Sequence, residues 1–567
     1  ISRPDLSEKY PDWYEQVDYL PFAVLINEIM PDPSPSVYLP EYEYIELVNG
    51  SSKPVSLEGW TMDVGTKSYS LSGIIEPGEY LILTCLKAAD LFLSYGHVLE
   101  LFTSTTALTN TGQTLILRDG NGNLIDAVQY VDTWYGDSFK MQGGWALERI
   151  DLSNPCAGKE NWTASLAHAG GTPGSMNSVS GFNPDQIPPY ITGIQFVSDS
   201  GINIVFSESI DRCFFNGNNT FILTDQTNPI IRIVPSYPFY NACFLQFSQA
   251  FTRGEIYCIT PGEGFCDCSG NKPPELLTVR FGIPLLPGFT DVILTEVLYA
   301  PFPACSEFIE VYNNSQNLLD LSGIVISLKY SGEEEIKREY ITNEQFLFFP
   351  GEYLVISANP EVLSDFYHIP APGCLFTVKK MPSLRDAGGC IELCDRSLQL
   401  IDRYCYSKNQ HYPLLNDDHG VSLERMDLNS LPGYLGTWHS ASSLSGFATP
   451  GYANSQSVNE LPDEESFRID PGLFTPDNDG TDDVAVISFI TGEQGFTGNV
   501  LIFDATGRCE RFLARNELLG PEGQFIWDGT DDNGQLSSTG IYLVFFDAFN
   551  LKGERIRKKG TVLLVRK

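Results

Sequence analysis

The chain repeats itself in order, and that repetition constrains the fold more than any other feature. "VLINEIM" beginning at Val24 returns as "VILTEVL" at Val292. "EYIELVN" at Glu43 returns as "EFIEVYN" at Glu307, and "PGEYLILT" at Pro77 as "PGEYLVIS" at Pro350. "LILRDGNGNLIDAVQY" at Leu115 matches "IELCDRSLQLIDRYCY" at Ile391, and "LERIDLSN" at Leu147 matches "LERMDLNS" at Leu423. "GTPGSMNS" at Gly171 closes the series and returns as "ATPGYANS" at Ala448. Ordered self-similarity of this kind marks two homologous domains in one chain.

Each block reads as a strand. In "EYIELVN" and "EFIEVYN" apolar and polar residues alternate with period two, which places Ile45, Leu47, Ile309 and Val311 toward a core. The same alternation sends Glu46 and Glu310 outward, toward solvent. Glu28 with Glu46, and Glu296 with Glu310, recur in both copies and can lie on adjoining strands; they read as features of the fold. Trp60 reads as a core anchor, with Ile324 in its place in the second copy. "DGNGN" from Asp119 to Asn123 reads as a hairpin turn. No long helical period interrupts the repeats.

The ordered motifs NEI, EYIELVN, PGEYLIL, LERID and GTPGSMNS resemble the bacterial lamin-tail domain, an immunoglobulin-like β-sandwich. The second copy resembles versions found in secreted proteins of the Bacteroidota. Between the copies, "INIVFSESID" and "DCSGNKPPE" resemble a bacterial Ig-like domain. Near the C-terminus, "FTPDNDGTDD" and "FIWDGTDDNGQLSSTGIYLVFFDA" resemble the Ig-like domain of flagellar hook-capping proteins. They also resemble the C-terminal domain of gliding-motility-associated, type-nine-secreted proteins. Asp477 and Asn478 depart from that pattern. The fold these resemblances imply is all-β, a string of tandem immunoglobulin-like β-sandwiches. The expected layout is an extension over 1–21, lamin-tail domains over 22–180 and 284–456, an Ig-like domain over 187–283, and a C-terminal Ig-like domain over 466–567.

Length and charge agree with that layout. At about 100–200 residues per domain, 567 residues make several cores. A net charge of -37 repels nucleic acid and anionic membrane. Lys552, Arg555, Arg557, Lys558, Lys559, Arg566 and Lys567 form a local basic exception, either a solvated hairpin or a docking signal. No stretch reaches the roughly 18–20 apolar residues that span a bilayer. The start at Ile1 reads as a mature end after processing. "WYEQVDYLPF", from Trp13 to Phe22, reads as an extra strand on the first sandwich or a docking segment.

Thirteen cysteines suit an oxidising compartment. Cys213, Cys243, Cys258, Cys266 and Cys268 form one disulfide-candidate group, and Cys305, Cys374, Cys390, Cys394 and Cys405 another. Cys85 and Cys156 flank the first third, and Cys509 is the candidate free thiol.

Among metal candidates, Asp477, Asp479, Asp482 and Asp483 stand out. Clustered carboxylates around a glycine offer the hard oxygen donors calcium prefers, though an Asx-capped turn has the same composition. Calcium is the one cofactor this pattern predicts. Asp528, Asp531, Asp532 and Asn533 read as a hairpin turn. Asp119, Asn121, Asn123 and Asp126 imitate the start of an EF-hand loop without its helices or final glutamate. His411 with Asp417, Asp418 and His419 could bind zinc or exchange protons, or could be a loop. No G-x-S-x-G, H-E-x-x-H or P-loop motif occurs.

The expected function is therefore a non-catalytic binding or scaffold protein on the outer face of an outer membrane. It would be a subunit of a membrane-associated complex or an adhesin, with a protein or surface glycan as partner. The alternative is a secreted enzyme, or an accessory of polysaccharide degradation, exported by type-nine secretion.

Overall fold

The computed structural model describes residues 21–216, 220–224, 227–330, 333–457 and 466–566, so the reading of Trp13 and most of its segment lies outside the described residues. The fold is all-β, in tandem immunoglobulin-like sandwiches. The described residues form two compact units, one within 21–251 and 257–281, the other within 252–256 and 282–566.

In the first unit, a six-stranded sheet runs in the order Trp162–Ala164, Leu147–Arg149, Val24–Met30, Tyr44–Asn49, Tyr80–Cys85 and His97–Phe102. It faces a four-stranded sheet of Leu124–Val131, Gly112–Arg118, Thr61–Val64 and Lys67–Ser70. Ile45, Leu47, Trp60, Leu115 and Leu117 are buried in the one core these sheets enclose. Each such side chain contributes roughly 1.5–3 kcal/mol of apolar burial. The unit continues with Ile191–Ser198, Gly201–Phe206, Ala242–Phe247 and Ile230–Pro235 in one sheet, and Phe221–Leu223, Tyr257–Pro261 and Val279–Phe281 in another.

The second unit opens on the same sandwich again. Its six-stranded sheet runs Trp438–Ser440, Leu423–Arg425, Val292–Leu298, Phe308–Asn313, Tyr353–Ser357 and Leu375–Thr377. The last pair is parallel, as is Tyr80–Cys85 with His97–Phe102 in the first copy. The facing sheet is Leu400–Tyr406, Gly389–Cys394, Val325–Lys329 and Ile336–Tyr340. Strand for strand, the topology is repeated. Trp60 and Ile324 are both buried, as an anchor position requires. The volume lost at Ile324 has a counterpart in the same core, where Tyr404 replaces Val128 and stacks on Trp438 at 3.5 Å between ring centroids. The unit ends in a three-stranded sheet (Phe467–Asp470, Ala485–Ile490, Glu522–Trp527) facing a five-stranded one that includes Gly540–Asn550 and Arg555–Leu564.

Two disulfides are present. Cys390–Cys405 joins directly paired residues of two neighbouring strands. Cys268 bonds to Cys156, which the sequence reading left outside its candidate groups. Cys85, Cys213, Cys243, Cys258, Cys266, Cys305, Cys374, Cys394 and Cys509 are thiols.

Candidate functional site

The acidic residues shared by the two repeats require a correction. Glu46 and Glu310 do not face solvent: with Glu28 and Glu296 they have no exposed surface. They point away from the sandwich core, as the alternation requires, but a segment of chain closes over them. Cross-strand pairing sets Glu28 opposite both Glu46 and Glu148, and Glu296 opposite both Glu310 and Glu424. Three carboxyl groups thus form a row across each six-stranded sheet. The third member, Glu148 or Glu424, was visible in the repeated "LER" but not joined to the others.

The covering segment is the repeated "TPG". In the first copy, Thr172 N donates to Glu28 Oε1 at 2.8 Å and Gly174 N to Glu46 Oε2 at 2.5 Å. Thr172 Oγ1, Ser178 Oγ and Val179 N donate to Glu148. In the second copy, Thr449 N donates to Glu296, Gly451 N to Glu310, and Thr449 Oγ1, Ser455 Oγ and Gln456 N to Glu424. The carboxyls hold the chain in place of a strand ladder. Burial first, then the neighbouring carboxylates, hold Glu28 and Glu296 well above the usual carboxyl range. Burial pushes Glu46 and Glu310 up to about 8, against the hydrogen bonds they accept.

Beneath each row lies a buried ion pair from the same motifs. Arg149 Nη2 donates to Asp126 Oδ2 at 2.8 Å, and Ile26 N donates to the same oxygen. Arg425 Nη1 and Leu294 N do the same to Asp402 Oδ2. Asp126 therefore has a partner remote from any EF-hand-like loop. Asp119 Oδ1 accepts the amides of Asn121 and Asn123, which makes the rest of that candidate a hairpin turn. Asp531 does the same with the amides of Asn533 and Gln535, while Asp528 accepts from Thr530.

Among the described residues, carboxylate oxygens of Asp477, Asp479 and Asp483 lie within 4.8 Å of one another. Asp482, the fourth predicted ligand, is not in that group and takes a left-handed φ of 52°. The loop also caps itself: Asp483 accepts from Asn478 N and Gly480 N, and Asp479 from Thr481 N. A cation and a capped turn would use the same oxygens.

The histidine group divides. His411 is buried, its Nδ1 lies 2.9 Å from Ser440 Oγ, and burial lowers its pKa to about 4. His419 is exposed and pairs with Asp417 at 2.7 Å, which raises its pKa. Lys408 approaches Asp418 at 3.3 Å. In the basic C-terminal strand, Arg555 and Arg557 both pair with Asp547.

A family model of the lamin tail domain matches residues 21–132. The chain carries a lamin tail domain. The matched segment supplies most strands of the first sandwich, including Glu28, Glu46 and Asp126. No curated protein matches the chain. Among solved structures, CopC from Methylosinus trichosporium OB3b is 15% identical, with 15% of this chain and 76% of that one covered, at a TM-score of 0.10. The S-layer protein rSbsC(31-844) is 10% identical, with coverage of 67% and 54% and a TM-score of 0.16. The chain thus spans about half the length of that S-layer protein. A tetra-tandem repeat from the extending region of a large adhesion protein is 9% identical, with coverage of 96% and 100% and a TM-score of 0.13. Likeness at these TM-scores transfers neither arrangement nor activity. Among the described residues, no helix is long and apolar enough to cross a membrane.

Proposed function

We propose that this chain is a non-catalytic binding or scaffold protein of the cell surface, built as lamin-tail, Ig-like, lamin-tail and C-terminal Ig-like domains over 22–180, 187–283, 284–456 and 466–567. One observation carries the reading. The carboxyl pairs that recur in both lamin-tail copies, and that resemble acid–base pairs in sequence, are sealed beneath a loop they hold by hydrogen bonds. Groups committed to fixing the backbone suit rigid sandwiches that present loops and edge strands to partners.

Resemblance of the C-terminal segment to type-nine-secreted proteins supports a location outside the cell, as a subunit of an outer-membrane-associated complex or an adhesin. Purification of the untagged protein from detergent-solubilised membranes tests this. A stoichiometric membrane partner is expected; recovery of the chain only from the soluble cytoplasm would end the surface reading. Glycan-array binding without such a partner would select the adhesin. A hydrolytic activity lost with Glu28→Gln would replace the proposal with an enzyme.

The loop of Asp477, Asp479 and Asp483 is the calcium candidate within this reading. Calorimetric titration of Ca²⁺ into the wild type and Asp479→Ala tests it. Loss of one bound Ca²⁺ per chain in the variant is expected, and equal stoichiometry in both proteins removes the loop as a site.

A further inference from the structure

A second group of acids, distant in sequence, meets in the first unit. Glu208 follows the strand Gly201–Phe206, and Asp267 forms an isolated bridge with Ile210. Asp185 lies on the connector that leads into the strand Ile191–Ser198. One carboxylate oxygen from each lies within 4.8 Å of the others. Asp267 is almost fully buried. All three line a cleft of about 650 Å³, whose walls also carry Glu160, Trp134 and Trp162. No lysine, arginine or histidine is among the described residues lining it. Burial, then the charges of Asp185 and Asp267, push the Glu208 carboxyl up to about 8.

A second observation is independent of the acids. Asn154 lines the same cleft and is 4% exposed, yet its Oδ1 accepts no hydrogen bond. Its Nδ2 donates to Asn183 O, two residues before Asp185. A buried amide oxygen without a donor costs about 1–3 kcal/mol unless something meets it. In the same cleft, the three carboxyl groups crowd one another, and ionising all of them without a cation is unfavourable. One ligand satisfies both: a hard cation with oxygen donors. Among the described residues, the only sulfurs on the wall, those of Cys156 and Cys268, are bonded to each other, so they offer no thiolate to a soft metal.

We propose that Asp185, Glu208 and Asp267, with Asn154 as a neutral donor, bind one calcium ion in this cleft. The ion joins the connector at Asp185, the Ig-like strands near Glu208 and Asp267, and the lamin-tail loop at Asn154. It lies at the joint already crossed by Cys156–Cys268 and adds an ionic clamp to the covalent one.

The test uses the full chain carrying Asp477→Ala, Asp479→Ala and Asp483→Ala, which silences the C-terminal loop. Ca²⁺ is titrated by calorimetry. Tb³⁺ is followed by emission sensitised through tryptophan, because Trp134 and Trp162 line the cleft. One calcium per chain is expected. Adding Asp185→Asn and Glu208→Gln should weaken it by roughly tenfold or more and quench the Tb³⁺ signal, since fewer charged ligands mean lower affinity. If the double variant loses its circular-dichroism spectrum, Asp185→Asn alone is read, with weakening again expected. The proposal fails if the parent protein takes up no calcium at about 1 mM, the weak end for extracellular sites, or if the folded Asn/Gln variants bind as the parent does.

Discussion

The two repeated sandwiches satisfy one carboxyl with different hydroxyls. In the first, Tyr44 Oη donates to Glu28 Oε1 at 2.7 Å. In the second, the position of Tyr44 is Phe308, and the donor to Glu296 Oε1 is Ser422, which stands where the first copy has Ala146. A third position follows. A Cβ on Gly171 would meet Glu28 Oε1 and Tyr44 Oη at 2.5 Å, so the first copy admits only glycine there. The second copy, without the phenol, has Ala448, fully buried. Tyr44, Ala146 and Gly171 thus exchange together for Phe308, Ser422 and Ala448. What persists is the satisfied carboxyl and the held loop, because an unmatched buried polar group costs more than either hydroxyl contributes. The side chain that supplies the hydrogen bond is free to vary.

The comparison breaks most readily at the ion pairs, which do not vary. Arg149→Met leaves Asp126 buried and uncompensated, and Arg425→Met does the same to Asp402; each is expected to cost about 3–5 kcal/mol. Urea unfolding, with hydrogen exchange read separately in each sandwich, measures this. Near-zero cost in one copy would show that the frames are not equivalent. The exchanging positions give the next effect. Tyr44→Phe alone removes a donor from a buried carboxyl, at about 1–3 kcal/mol. Gly171→Ala alone overpacks the loop, at about 1–3 kcal/mol. Tyr44→Phe, Ala146→Ser and Gly171→Ala together rebuild the second copy's chemistry and should recover most of both losses. A strictly additive triple mutant would sink the idea that these positions compensate one another.

Much of this was legible before the fold. Period-two alternation gave the strands, and repetition gave two copies of one sandwich. Trp60 and the "DGNGN" turn are where pattern and turn chemistry place them. The burial of Glu46 was not legible, because alternation tells which face a side chain takes and not what covers that face. The cover is "TPG", more than a hundred residues downstream and itself read only as a repeat marker. The bond between Cys156 and Cys268 was hidden for a related reason: grouping cysteines by closeness in sequence favours local pairs, and this one has a separation of 112 residues. Asp185, Glu208 and Asp267 likewise carry no common motif. They meet because a connector, a strand end and a turn converge.

A pH series sharpens the comparison further. Glu46 and Glu310 hold their protons up to about 8, against 4.5 for an unperturbed glutamate. The folded chain therefore binds more protons than the unfolded chain between those values. The stability this contributes is complete below about pH 4.5 and is lost as pH rises through about 8. One proton sets a slope of up to about 1.4 kcal/mol per pH unit. Glu310→Gln and Glu46→Gln should each flatten the slope in their own sandwich, but at different cost. Thr295 Oγ1 donates to Glu310 and, being a hydroxyl, can turn to accept from an amide. Asn27 Nδ2 donates to both Glu46 and Asn177. To accept from a glutamine at 46 it must turn its amide over, which sets its donors against those of Asn177, whose Nδ2 already donates to Asn27 Oδ1. Glu310→Gln should therefore flatten the pH dependence with little loss at pH 5, while Glu46→Gln loses stability there as well. Equal losses at pH 5 would mean that the asparagine and the threonine do the same work after all.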